Sequence, residues 1–170
     1  MKQPRHILLL LGLLILSAPL AAAPPRGLMP VEHRPAPTLR LSDMDGRVTD
    51  LRSLRGQWVL VHFWASWCGP CRQEMPSLQR LDAKMPDSRL RLLLVNTAES
   101  QEEVFTFLST VAPDLPTLLD PDGRVTENWG PRGLPSSFLV DPQGRIRYLA
   151  LGGRAWDIPP YLTFLQRLTR

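Results

Sequence analysis

Cys68 and Cys71 are the residues of this chain with the most distinctive chemistry. They are its only two cysteines, and Gly69 and Pro70 separate them. Within this chain they can form a disulfide only with each other. The stabilisation that a disulfide provides grows with the length of the loop it closes, and this pair closes a very short loop. The spacing therefore predicts a redox-active pair rather than a structural crosslink.

The cysteine pair lies where a helix is expected to begin. Residues 58–64 form an apolar run that predicts a buried strand, and apolar residues at helical spacing follow the pair. Free amide groups at a helix N-terminus stabilise a thiolate. We expect Cys68 to be the exposed nucleophile that attacks a partner disulfide, and Cys71 to be sheltered and to release the partner. Gly69 allows close approach of the partner, and Pro70 suits the first helical turn because no donor is lost there.

Metal binding is the main alternative for a Cys-x-x-Cys pair. Structural zinc sites usually have four ligands, and the histidines, His6, His33 and His62, supply no second pair. We therefore expect no metal and no other cofactor. Two thiolates also suit Cu(I), so a Cu(I)-binding chaperone stays open as an alternative, although no recognisable His or Met motif accompanies the pair.

The remaining periodicity predicts an α/β sandwich with a mixed central sheet. Asp45-Gly46 is a hairpin dipeptide, so an N-terminal β-hairpin is expected. We expect the second helix to bury Phe105 together with Val104 and Leu108. The predicted segments are the hairpin strands 39–41 and 47–51, strands 58–64 and 90–95, a helix that begins at the cysteine pair and has its apolar positions from 75 to 85, the helix 102–111, the extended piece 115–119, a helical turn at 125–129, the hairpin strands 136–140 and 146–151, and the helix 158–168.

The N-terminal residues predict export. Basic residues precede the apolar run 7–16, and small residues follow up to Ala23, which is the pattern of a secretory signal peptide over residues 1–23. The apolar part is shorter than the roughly 20 residues that cross a bilayer, so we expect cleavage, with an uncleaved anchor as the alternative. The proline-rich stretch 24–37 predicts an extended tether, and 38–170 the folded domain. Export places the cysteines in an oxidising, periplasmic or extracytoplasmic compartment.

Composition excludes two classes of protein. The chain has 170 residues, of which 44% are hydrophobic, and this suffices for one globular domain rather than a disordered chain. The net charge is +4 and the basic residues are scattered, so we expect no nucleic-acid partner.

Two sequence blocks carry a resemblance to a known family. Residues 63–71 are FWASWCGPC, followed by Glu74 and Pro76 in the predicted helix, and residues 133–141 are GLPSSFLVD. These blocks resemble the thioredoxin superfamily, and within it the extracytoplasmic TlpA/ResA-like thiol:disulfide oxidoreductases. The resemblance extends from about residue 37 to the end of the chain and implies a thioredoxin-like fold.

The resemblance also implies roles around the cysteines. Pro135 would follow a cis peptide bond and lie against the cysteine pair, and the backbone of Leu134 would pair with the substrate. Glu74 would be an acid/base, with a surface salt bridge as the alternative. We expect Trp67 to belong to the docking surface. A helix and a strand between Leu92 and Leu119 resemble the insertion that distinguishes this subgroup from minimal thioredoxins.

His62 departs from the family pattern. Thioredoxins have a buried Asp at the matching position, and TlpA/ResA-like proteins often have an uncharged polar residue there. An imidazole at this position can shuttle protons to Cys71 or can hydrogen-bond a backbone group as a satisfied core residue. We expect the core role.

Three functions are compatible with these features. The first is a reductase that keeps exported thiols reduced, such as the haem-binding cysteines of apocytochrome c or those of a copper-site protein. The Gly-Pro spacer resembles that of reducing thioredoxins and favours this function over the second, an oxidase or isomerase. The third is the Cu(I)-binding chaperone. For a reductase, the resemblance implies a membrane electron donor of the DsbD or CcdA type, and we expect a monomer.

Overall fold

The computed structural model describes residues 23–86 and 90–169. The described residues form one mixed eight-stranded sheet with four α-helices, which is the predicted class, and the strand order is β1-β8-β7-β4-β5-β6-β2-β3. No helix among them is long and apolar enough to cross a membrane. The predicted signal peptide lies outside the described residues, except for Ala23. The elements are β1 (Leu28–Pro35), β2 (Arg40–Asp43), β3 (Val48–Asp50), a 3-10 turn (Leu51–Leu54), β4 (Trp58–Trp64), α1 (Gly69–Lys84), β5 (Leu90–Thr97), α2 (Gln101–Val111), β6 (Thr117–Asp120), α3 (Arg124–Trp129), β7 (Ser136–Val140), β8 (Arg145–Leu151) and α4 (Pro159–Leu168).

β4 lies at the centre of the sheet and has the predicted bounds. It runs parallel to β5 and antiparallel to β7. Successive side chains of a strand point to opposite faces, so Leu60 and Trp64 enter the core formed with α1, α2 and α4. Val61 and Phe63 enter a second core on the other face. His62 therefore shares the face of β4 that α1 covers.

The N-terminal hairpin and the inserted elements are present. β2 pairs antiparallel with β3 around the Asp45-Gly46 turn, as predicted, and β2 also pairs with β6. α2 and β6 lie between β5 and β7 in the chain, where the resemblance placed the additional helix and strand. β6 extends the sheet beyond β5 with parallel pairing.

The prediction for the buried face of α2 is wrong at one position. Phe105 is 62% exposed, whereas Phe107 is buried and packs against Trp64 with ring centroids 5.5 Å apart. Consecutive helical residues are about 100° apart around the axis. Phe105 and Phe107 each lie about 80° from the direction midway between Val104 and Leu108, on opposite sides of it. The helical period therefore does not choose between them, and the packing of Phe107 against Trp64 decides which one is buried.

The prediction that residues 24–37 form an extended tether rather than packed structure is also wrong. Leu28–Pro35 forms β1, which pairs antiparallel with β8, and Leu28 is buried. β1 lies at the edge of the sheet and hydrogen-bonds on one side only. Proline is tolerated at such an edge because its missing N–H can fall on the unpaired side. The packed part of the chain therefore begins before residue 38.

Candidate active site

Cys68 and Cys71 form a disulfide at the start of α1. Cys68 is the N-cap, and its Sγ accepts a hydrogen bond from the Cys71 N–H at 3.3 Å. Cys71 has no exposed surface, as expected, but Cys68 is only 6% exposed and is thus less open than predicted. Its bond to Cys71 keeps the sulfur against the first turn of α1. Trp67 is 69% exposed and is the prominent side chain of the motif.

A buried carboxylate that sequence reasoning missed holds the turn before Cys68. Glu99 Oε2 accepts hydrogen bonds from the Ser66 N–H at 2.7 Å and from Asn96 Nδ2 at 2.6 Å. Glu99 Oε1 accepts from the Ser66 hydroxyl. The available signal was the position of Glu99 just after the strand parallel to β4, because the carboxyl ends of adjacent parallel strands lie at the same edge of a sheet. Glu99 thereby fixes the turn from which Trp67 and Cys68 project.

The Pro135 segment is connected to the start of α1 through the loop after β8. The Leu134–Pro135 peptide bond is cis, as the resemblance implied. The Pro135 carbonyl accepts a hydrogen bond from the Gly152 N–H at 2.9 Å. The next residue, Gly153, packs against the Pro70 carbonyl. The loop after β8 therefore contacts both the Pro135 segment and the start of α1.

Glu74 is buried rather than exposed, so the surface salt bridge is the wrong interpretation. It lies on α1 three residues after Cys71 and so on the same side of the helix. Glu74 Oε2 accepts a hydrogen bond from the backbone N–H of Arg154 at 3.0 Å. Glu74 Oε1 lies 3.1 Å from His62 Nε2. The carboxyl group is therefore held in place between α1, β4 and the loop after β8.

His62 is buried in the core, as expected, but the expected hydrogen bond to a backbone group is not seen among the described residues. Its Nδ1 has a side-chain partner, and its Nε2 has no aligned one. Its Nδ1 lies 2.8 Å from Ser137 Oγ, and its Nε2 faces Glu74. Ser137 is the register partner of His62 across β4 and β7. The sequence alone does not give this register, so reasoning from the sequence could not connect the two residues. The result is a line of three polar side chains, Ser137, His62 and Glu74, beneath the start of α1.

A cavity of about 340 Å³ opens beside Glu74. It lies between α1 and the loop after β8, and its wall includes Pro70, Gln73, Glu74 and Arg154. This cavity brings solvent close to an otherwise buried carboxyl group.

A metal site would need several ligating side chains close together. Among residues 23–86 and 90–169, no three His, Cys, Asp or Glu side chains are grouped so as to hold a metal ion. In the disulfide form neither cysteine is a free thiolate. When reduced, the pair would offer two soft sulfur ligands.

Comparison with known proteins gives the chemistry of this site. The model of the AhpC/TSA family matches residues 33–149. The thiol-disulfide oxidoreductase ResA of Bacillus subtilis is 30% identical over 121 residues, which are 71% of this chain and 68% of that protein. The chain belongs to the AhpC/TSA family. It is a thiol-disulfide oxidoreductase, and the Cys68–Cys71 pair is at disulfide distance.

Two solved structures are similar to this AhpC/TSA family member in both sequence and fold. A Chlorobium tepidum crystal structure, described as a DsbE-type thiol:disulfide interchange protein, is 32% identical with a TM-score of 0.68. That match covers 75% of this chain and 89% of the other. StoA of Bacillus subtilis is 25% identical with a TM-score of 0.65, over 75% of this chain and 97% of StoA. The open mixed sheet with four helices is thus the thioredoxin-like architecture that the sequence predicted.

Proposed function

We propose that this thiol-disulfide oxidoreductase reduces disulfides of exported proteins through Cys68 and Cys71. The observation that carries the proposal is the cysteine pair at the N-terminus of α1 with the buried carboxyl group of Glu74 one turn further along the helix. The helix N-terminus favours the thiolate that begins disulfide exchange. The Gly-Pro spacer, which resembles that of reducing thioredoxins, supports the reducing direction.

The proposed reaction has two exchange steps. In the reduced protein the Cys68 thiolate attacks one sulfur of the substrate disulfide, and the other substrate sulfur leaves as a thiolate. Cys71 then loses its proton to Glu74 and attacks the Cys68 sulfur, which releases the second substrate thiolate. Two electrons pass to the substrate, whose two sulfurs take up protons, and the Cys68–Cys71 disulfide remains.

We assign substrate docking to the surface on both sides of the pair. Trp67 offers a broad exposed indole, which is a common anchor at protein interfaces. At Gly69 the space that a Cβ would occupy is open, so a substrate backbone has room to approach. Pro70 borders the same surface. On the other side, the backbone of Leu134, before the cis Pro135, is the proposed pairing site for an extended substrate segment.

The predicted N-terminal signal supports the proposed compartment, and the resemblance to TlpA/ResA-like proteins supports the proposed partners. We propose an extracytoplasmic, periplasmic location, with the signal cleaved or retained as an anchor. The proposed substrates are apocytochrome c or copper-site proteins, whose cysteines must be reduced before they bind haem or metal. A membrane thiol reductant of the DsbD or CcdA type would return the oxidised pair to the dithiol. We expect the protein to act as a monomer without nucleic acid.

The reduction potential of the pair tests the direction of exchange. The purified protein is equilibrated against a dithiothreitol or glutathione series, and the fraction of dithiol is measured. The reduction potential of thioredoxin is about −270 mV and that of the oxidant DsbA is about −120 mV, so the potential of a reductase should fall below about −200 mV. A reduction potential of about −120 mV would instead identify an oxidase. A low potential with tight Cu(I) binding and no disulfide reduction would favour the chaperone.

A further inference from the structure

His62 and Glu74 face each other in a buried site, but their facing atoms are not aligned as a hydrogen bond. The two facing atoms, His62 Nε2 and Glu74 Oε1, are 3.1 Å apart, and the side chains are 1% and 2% exposed. Within the described residues, neither atom has an aligned hydrogen-bond partner. Buried polar atoms without a hydrogen bond are costly. A proton placed between the two atoms would give both of them a hydrogen-bond partner.

The other polar atoms of both side chains already have partners. His62 Nδ1 lies 2.8 Å from Ser137 Oγ, and Glu74 Oε2 accepts from the Arg154 N–H. A hydroxyl group can donate to an unprotonated Nδ1 or accept from a protonated one. Ser137 thus remains a partner of the imidazole whether or not the ring gains a proton.

Within the described residues, no lysine or arginine forms an ion pair with Glu74. Arg80, which lines the cavity beside Glu74, pairs with Asp157. Leu94 of β5, the register partner of His62, is apolar, and Cys71 lies one turn before Glu74 on α1. The Arg154 guanidinium donates to three backbone carbonyl oxygens instead. The residues that complete this core from α2 and α4 are apolar, namely Val104, Phe107, Leu108, Phe164 and Leu165.

We propose that His62 and Glu74 together accept the proton that Cys71 loses, with His62 as the positioning residue of this acceptor. The inference rests on the proposed function. The Cys71 S–H bond breaks, and its proton binds between Glu74 Oε1 and His62 Nε2. The electron pair left on Cys71 forms the bond to Cys68, and the substrate sulfur leaves with the electrons of the broken disulfide bond and takes a proton from water. The stored proton returns to solvent through the cavity beside Glu74.

Stopped-flow absorbance with dithiobis-nitrobenzoate separates the step at Cys71 from the step at Cys68. The reduced protein releases a first coloured thiolate when Cys68 attacks the reagent, at a rate that rises with reagent concentration. It releases a second thiolate when Cys71 attacks the mixed disulfide, at a rate independent of that concentration. We expect His62→Asn to slow the second phase at pH 7 by about tenfold or more and to flatten its pH dependence, because Glu74 loses the partner that positions the accepted proton. The first phase should stay within about twofold of wild type, because Cys68 does not use this acceptor.

Further variants separate a proton-accepting role from a structural one. If His62 acts through Glu74, the double variant His62→Asn/Glu74→Gln should be no slower than Glu74→Gln alone. Thr117→Val removes a buried hydroxyl that lies two strands from His62 in the same sheet, with Leu94 between them, and should leave both phases unchanged. Ser137→Ala keeps both members of the pair, and should slow the second phase only. It provides the test if His62→Asn does not fold.

The outcomes distinguish this inference from the proposed function. An unchanged rate of the second phase in a folded His62→Asn or Ser137→Ala variant would overturn the inference. A double variant whose second phase is slowed by the product of the two single-variant factors would also overturn it. Failure of the proposed function looks different. The wild-type protein would then reduce no protein disulfide such as that of insulin, whatever the behaviour of the His62 variants.

Discussion

A Cβ atom on Gly153 would lie 2.9 Å from the carbonyl oxygen of Pro70, which is closer than Cβ atoms in proteins normally approach another atom. The loop after β8 is thus packed directly against the first turn of α1. Arg154, the next residue, donates its backbone N–H to Glu74. The absence of a side chain at Gly153 therefore allows the loop to reach the buried carboxyl group.

Gly153→Ala should destabilise the protein and slow disulfide exchange. The added methyl group meets a backbone oxygen, which cannot rotate away as a side chain can, so the loop must shift and the Arg154–Glu74 hydrogen bond is weakened. Overpacking of this kind costs about 1–3 kcal/mol, to be measured by urea unfolding alongside the rate of insulin reduction. Gly133→Ala is the matched control, since a Cβ there meets open space. Equal stability of the two variants would contradict the packing argument.

Cys68 rather than Cys71 should form the mixed disulfide with substrates. Cys68 retains some exposed surface, whereas Cys71 retains none. Cys71→Ser should therefore accumulate covalent complexes, visible as thiol-sensitive bands on non-reducing gels, and Cys68→Ser should not. Equal trapping by both variants, or trapping by Cys68→Ser alone, would reverse the assignment.

Glu74→Gln should slow disulfide exchange by about tenfold or more while the fold persists, because it removes an acid/base group. A glutamine oxygen can still accept the hydrogen bond from Arg154, so unfolding by urea should show a much smaller effect than turnover does. Asp82→Asn removes a carboxylate from an exposed position of the same helix and should leave the rate unchanged. Rates of Glu74→Gln equal to wild type between about pH 5 and 8 would exclude an acid/base role.

Asp157 should contribute pH-dependent stability near the same loop. Hydrogen bonds from Arg80 and then Lys84 hold the pKa of Asp157 below its ordinary value of 3.8. Because the pKa is lowered in the folded protein, this stability is present above pH 3.8 and is lost as the pH falls through the folded-state pKa.

Asp157→Asn should therefore lower the free energy of unfolding at pH 7 by at most about 1 kcal/mol, the range of partly exposed ion pairs. The difference in free energy of unfolding between the variant and wild type should become smaller at acidic pH, because Asp157 is then protonated in the wild type as well. Asp45→Asn breaks a pair whose two side chains are both largely exposed and should have less effect. If the two proteins differed in free energy of unfolding by the same amount at every pH, the stability would not come from the charge of Asp157.

The sequence by itself determined the features that local patterns encode. The Cys68–Cys71 spacing, the apolar run of β4 and the helical period of α1 identified the redox pair and the strand and helix that hold it. These features depend on neighbouring residues, whose preferences and side-chain directions repeat over a few positions.

Only the tertiary structure decided the environment of the cysteine pair. His62 meets Ser137 across 75 residues, Ser66 meets Glu99 across 33, and Glu74 meets Arg154 across 80. The pairing of β1 with β8 likewise joins distant parts of the chain. Such contacts follow from strand order, register and helix packing, which arise when the whole chain buries its two cores. For the same reason, the burial of Glu74 opposite His62 became apparent only in the folded protein.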